Sequence, residues 1–295
     1  MLNKRNGHPL LPITALLFGA AMWGVAWYPY RLLEQAGISG ELSTTITYFI
    51  ALLLGLALFH RSIRLASIFN GKAHLLFWIC FFSGWGNITY ILGILFGEIM
   101  RVLLLFYLAP LWTIFFARLL LNERLSLQGY GVIALSLTGA VTMLWQPGGH
   151  LPLPASYGDW MGLLGGFMFA LVNVLVRKDQ YHSIQLKSVA IWLGGALVGL
   201  ICSLVIGLPL IISDISVNTW LLLLGVGFMM FFMSIVLQYG LTRIPANRAI
   251  VILLFELVVA AIAAYFLVNE GLSRTEWIGG LMIVSASLFS TKMNR

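Results

Sequence analysis

Residues 119–126 read LLLNERLS, and residues 266–273 read FLVNEGLS. Each phrase stands where a long apolar run stops. Asn-Glu is the shared centre (Asn122-Glu123 and Asn269-Glu270), and Leu-Ser follows one residue later at Leu125-Ser126 and Leu272-Ser273. A shift of 147 positions, from 122 to 269, superposes them. The same shift lays Arg101 on Arg248, Gly93 on Gly240 and Arg31 on Lys178. The repetition therefore extends over half the chain on either side.

Composition names the solvent. The chain has 295 residues, 60% apolar and 9% charged, with a mean hydropathy of +0.96. A soluble domain carries about 25% charged and roughly 45–50% apolar residues. Water cannot solvate such a surface, so lipid must. The net charge of +7 (17 basic less 10 acidic residues) belongs to the loops of a membrane protein and gives no reason to expect nucleic acid. Cys80 and Cys202 both lie inside apolar runs. They offer neither a metal-ligand spacing nor a disulfide framework, and read as small packing residues.

A span needs about 20 mostly apolar residues. That rule yields ten candidates, roughly 11–33, 43–60, 74–96, 100–121, 127–145, 157–177, 187–210, 217–240, 247–268 and 274–291. The first follows a basic head, as a signal peptide would, but its apolar run is too long and no clean cleavage site follows; it reads as a retained span. With the N-terminus in the cytoplasm, the alternation puts all but three of the 17 basic residues on the cytoplasmic side; the exceptions are Arg31, Arg101 and Arg274. Such asymmetry is what inner loops show, and it supports both the count and cytoplasmic N- and C-termini.

The halves divide as 1–146 (spans one to five) and 147–295 (spans six to ten). Five is odd, so the second half enters the membrane from the opposite side. The expected fold is an all-α membrane protein of ten transmembrane helices in two inverted five-helix repeats. Such repeats build pathways that open to either side, with a site near the midplane between the halves.

At this point the sequence resembles the drug/metabolite transporter superfamily, and within it the ten-span EamA-type exporters. The resemblance covers nearly the whole chain. It is carried by Trp23-Gly24 in span one, Ala109-Pro110 in span four, Glu123 and Glu270 closing spans four and nine, and the glycines opening spans five and ten (Gly129, Gly131, Gly279, Gly280). The Glu-Pro step usual in span nine reads Glu256-Leu257 here. The resemblance implies export of amino acids, other small metabolites or toxic compounds across a bacterial inner membrane. Dimers occur among similar proteins, so a homodimer is compatible with it.

Glu256 is the sharpest single residue, close to mid-depth in RAIVILLFELVVAAIAAYF. A carboxylate at a helix centre costs on the order of 2.5–3.5 kcal/mol on insertion scales, so it should face the bundle interior. Ala260, Ala263 and Ala264 lie on its face of the helix and leave room for a cavity or for close packing. Glu256 reads as a substrate contact or proton carrier, against a structural carboxylate bonded to a neighbouring span. Asn87 and Tyr90 in span three, Tyr107 and Trp112 in span four, Asn173 in span six and Gln238 in span eight are further candidates for the pathway. Polar groups at depth equally serve as glue between helices. Trp23 and Trp85 sit deep enough to form aromatic walls. Gate candidates are Glu98 and Arg101 on the outer side and Arg118 on the inner; surface ion pairs, worth little, are the alternative.

No metalloprotease helix, nucleotide-binding loop or dinucleotide turn is present in the sequence, and the five histidines lie at span ends or in loops. The sequence thus points to a transporter rather than an enzyme, with no cofactor or metal, a small-molecule substrate and contacting membrane lipid. Carriage of a lipid-linked substrate and a non-transporting scaffold are the competing readings.

Overall fold

The computed structural model describes residues 10–61, 63, 68, 71–97, 99–145, 154–206, 215–268 and 273–290. Helices account for nearly all of them: α1 (Leu11–Gln35), α2 (Gly40–Phe59), α3 (Ala73–Phe96), α4 (Ile99–Phe106), α5 (Ala109–Leu121), α6 (Leu127–Leu144), α7 (Tyr157–Lys178), α8 (Ile184–Ile206), α9 (Val217–Arg243), α10 (Ala246–Leu253), α11 (Phe255–Val268) and α12 (Arg274–Phe289). Among the described residues nine stretches are long and apolar enough to cross a membrane. Two of them are compound. Span four is α4 followed by α5, and span nine is α10 followed by α11. The tenth span is α12, of which 16 residues are described.

The packing is symmetric under exchange of the halves. Helix α3 lies along α7 and α8, and its counterpart α9 lies along α1 and α2. Helix α1 packs on α11, and α7 correspondingly packs on α4 and α5. The pairs α2–α8 and α6–α12 map onto themselves. With five spans per half, this is the layout of an inverted repeat.

Lipid tails are as apolar as leucine, so spans associate by close packing rather than by hydrophobic gain. Glycines supply the closeness. A Cβ on Gly158 or Gly162 of α7 would run into Gly97 and Val102, and one on Gly194 of α8 would overlap the Cys80 carbonyl. Large apolar side chains such as Phe18, Leu53, Phe77, Leu204, Phe228 and Phe266 face outward, as side chains meeting lipid do.

Both compound spans break at equivalent residues. The turn in span four lies at Tyr107-Leu108 and that in span nine at Leu254; the 147-residue shift carries Tyr107 onto Leu254. The last helical bond before each break is also equivalent. Tyr107 N–H donates to the Leu103 carbonyl at 2.9 Å, and Leu254 N–H to the Ile250 carbonyl at 3.2 Å. In span four Pro110 follows, has no N–H to give and forces the break. Span nine has leucine at that place and breaks nonetheless. There Leu257 N–H donates three residues back, to the Leu254 carbonyl at 3.1 Å, a tight 3₁₀ closure that interrupts the helical ladder.

The repeated phrase is a stop-and-start device. Asn122 ends α5 in the left-handed conformation (φ 56°), one that Asn adopts more readily than most residues. Glu123 N–H then closes the end on the Ala117 carbonyl at 3.1 Å. Ser126 opens α6, its hydroxyl accepting from Gly129 N–H at 3.0 Å. In the second phrase Ser273 opens α12 in a capping box with Glu276; Asn269, Glu270 and Leu272 lie outside the described residues. Glu123 does more than terminate a helix. Its carboxylate accepts from Ala246 N–H at 3.0 and 3.3 Å and so caps α10 in the other half. Arg177 Nε lies 3.7 Å away. Burial raises the Glu123 carboxyl above its ordinary pKa, and Arg177 and the backbone donors oppose the shift without reversing it.

A second tie joins α7, α8 and α9 at the same end. Lys187 is fully buried. Its ammonium donates to the carbonyls of Val176 (3.1 Å) and Asp179 and to Thr242 Oγ1 (2.9 Å). A cation there suits the negative end of the α7 dipole. Buried Asp179 in turn accepts from His182 Nδ1 at 2.8 Å.

Two outcomes test these ties. Lys187→Met leaves the buried Val176 and Asp179 carbonyls and the half-buried Thr242 hydroxyl without their donor and should cost on the order of 3 kcal/mol, read as a lowered melting temperature of the detergent-purified protein. Glu123→Ala should remove the α10 cap at a cost of about 1–2 kcal/mol, whereas Glu123→Gln keeps an acceptor and should cost less. Because the folded pKa of Glu123 lies above its unfolded value, stability linked to it is present at low pH and lost as pH rises through the folded pKa. The melting difference between wild type and Glu123→Gln should therefore move in favour of wild type on acidification.

Candidate functional site

The two helix breaks bring one side chain from each half together. Glu256 stands at the middle of the 22-residue span Ala246–Leu267, on the second residue of α11. Tyr107 stands at the break in span four. The Tyr107 phenol donates to Glu256 Oε1. Both residues are no more than 9% exposed, and Glu256 Oε2 has no hydrogen-bond partner among the described residues. A buried carboxylate oxygen of this kind has room to take a proton or a donor from a substrate.

Aromatic rings complete the surroundings. The Phe106 ring lies 5.1 Å from that of Tyr90, 5.4 Å from that of Tyr107 and 5.5 Å from that of Phe169. Small residues hold the broken backbone in place on both sides. A Cβ on Gly24 of α1 would meet the Glu256 carbonyl, and one on Gly166 of α7 would overlap the Phe106 carbonyl. Spans one and six are equivalent, so each break rests on a glycine of the opposite half. The room beside Glu256 is used in the same way: Gly24 would also press on the Ala260 backbone, so Ala260 serves close packing.

The remaining sequence candidates are dispersed. Asn87 accepts from the Tyr48 phenol at 3.2 Å and donates to the Ser83 carbonyl at 2.8 Å, which binds span three to span two. Trp112 packs edge-on against Phe167 at 5.3 Å, and its indole N–H has no partner among the described residues. Asn173 and Gln238 are buried, and each has one amide atom without a partner among the described residues. Trp23 is half-buried against the core around Leu16 and Ala20, and Trp85 is half-buried beside Phe81 at 6.4 Å. Glu98 and the Arg101 side chain lie outside the described residues. Arg118 stands far along span four, at the Glu123 end. There it shares a cavity of about 230 Å³ with Ile114, Glu123, Arg124, Leu125, Tyr130 and Asn247.

Sequence reasoning passed over Phe106, Phe169, Asn247, Asp179, His182 and the buried role of Lys187. For the two phenylalanines no local signal exists, since apolar residues fill every span. Asn247 carried none either, because a polar residue at the start of a span is ordinary, and its burial shows only in the fold.

Comparison with known proteins agrees with this architecture. A solved structure aligns with TM-score 0.75 at 18% identity, covering 96% of each chain; at that identity the likeness concerns the fold. The chain is 28% identical over 205 residues to an uncharacterized transporter of Archaeoglobus fulgidus, covering 68% of this chain and 70% of that protein. It is 26% identical over 219 residues to a protein of Rickettsia prowazekii named S-adenosylmethionine uptake transporter, covering 73% and 70%. Residues 10–145 and 156–292 each match the EamA-like transporter family, one match per half. The chain is a membrane transporter and belongs to the EamA-like family.

Proposed function

We propose that the protein is a secondary transporter that exports a small polar or amphipathic metabolite by alternating access, with repeats 1–146 and 147–295 moving against each other. Support comes from one observation above all: the buried Tyr107–Glu256 bond joins the halves at two symmetric helix breaks. Broken spans near the midplane are where such transporters place their sites. A carboxylate among aromatic rings recognises positive charge, so the substrate carries an amino or other cationic group. Glu256 then exchanges that group for a proton, and Tyr107 orients the carboxylate. The charge pattern favours cytoplasmic termini in a bacterial inner membrane. The Rickettsia relative is named for uptake, so direction has to be read in both senses.

The deciding assay is flux through proteoliposomes loaded with mixed amino acids, amines, nucleosides and S-adenosylmethionine, with and without a pH gradient and in both directions. Wild type should move a cationic or amino-bearing subset, faster with the gradient. Glu256→Gln should stay folded and lose the pH-driven component altogether. Tyr107→Phe, which removes a hydrogen bond to a charged group, should slow flux by about tenfold or more and keep the pH dependence. Unchanged pH-driven flux in Glu256→Gln would remove Glu256 from the mechanism.

A further inference from the structure

The cavity at the Glu123 end lies apart from the midplane pair, and its lining calls for a ligand of its own. Asn247 is 1% exposed, and neither its amide nitrogen nor its carbonyl oxygen has a partner among the described residues. It lines the cavity together with Arg118 and Arg124. Leaving both ends of a buried amide unpaired is costly, so the position favours a group from outside the protein that supplies an acceptor for the N–H and a donor for the oxygen.

The local charge decides which kind of group. The Glu123 carboxylate is already engaged, by Ala246 N–H and by Arg177. Among the described residues neither Arg118 nor Arg124 has an ion-pair or hydrogen-bond partner. The positive end of α10 adds to their field. The cavity therefore presents two guanidiniums and an amide donor to an anion, and one carbonyl oxygen to a hydroxyl. Guanidiniums match the oxygens of phosphate well. Ile114 forms an apolar wall, and the outward-facing Leu119 and Leu127, 64% and 84% exposed, flank this end of spans four and five.

We propose that this cavity binds a phosphate ester bearing its own hydroxyl, supplied by the headgroup of an anionic phospholipid of the phosphatidylglycerol type. The phosphate oxygens face Arg118, Arg124 and the Asn247 amide N–H, and the headgroup hydroxyl donates to the Asn247 carbonyl oxygen. Basic pockets between spans are known to hold lipid phosphates in this manner. The bound lipid would brace spans four and five against span nine, where Glu123 already joins them.

The test is binding of short-chain phosphatidylglycerol, phosphatidylcholine and inorganic phosphate to the full-length protein in neutral detergent. Phosphatidylglycerol should bind in preference to phosphatidylcholine and resist displacement by inorganic phosphate. Arg118→Gln combined with Arg124→Gln, both exposed positions, should weaken it by about thirtyfold. Asn247→Leu should weaken it further; if that variant does not fold, the arginine pair alone decides. Equal binding of the two lipids, or unchanged affinity in the double arginine variant, would overturn the site. Ready displacement by inorganic phosphate would overturn the lipid assignment and give the cavity to a soluble phosphate.

Discussion

A backbone carbonyl or N–H in the hydrocarbon of a membrane has no water to turn to. Interrupting a helix at that depth is therefore expensive, and this protein does it twice, at Tyr107-Leu108 and at Leu254. The rest of the architecture follows from making those interruptions tolerable. Each break is buried in protein rather than turned to lipid. Each lies against a glycine from the other half, Gly166 for span four and Gly24 for span nine. The short 3₁₀ closure at Leu257 recovers part of the lost helical bonding.

The interruptions stand beside a polar pair, Tyr107 at the first break and Glu256 two residues past the second. Tyr107 and Glu256 meet because the two breaks meet, and the breaks meet because the halves are related by exchange. The pair is chemically unequal although its setting is symmetric. The 147-residue shift lays Glu256 on Ala109 and Tyr107 on Leu254, so one half brings an acid and the other its donor. A symmetric frame thus carries an asymmetric site, which suits a single substrate better than two matched carboxylates that would repel each other.

The polar ties gather at the opposite extreme, at the end of spans six to nine and around Glu123. Lys187, Asp179, His182 and Thr242 form one network, and Glu123 with Arg177 and Ala246 another. They hold helix ends that sheer apolar packing would leave free to slide, because every apolar contact between spans competes with an equally apolar lipid.

The sequence by itself determined the solvent, the ten spans, the five-plus-five division and the intrusion of Glu256. Each of these is a one-dimensional property: hydropathy over about 20 residues, a shift between like phrases, a charge inside an apolar run. The family marks at Trp23-Gly24 and Glu123 were legible too, though not their purpose. Gly24 is needed because span one presses on the Glu256 carbonyl, and Glu123 because it caps a helix 123 positions away. Only the tertiary structure could decide those roles. It alone chose Tyr107 as the partner of Glu256 out of ten tyrosines, bound Asn87 to Tyr48 instead, and broke span nine without a proline. The reason is physical: in lipid a polar side chain is settled by whichever complementary group lies within hydrogen-bond reach, and that reach crosses between spans far apart in the chain.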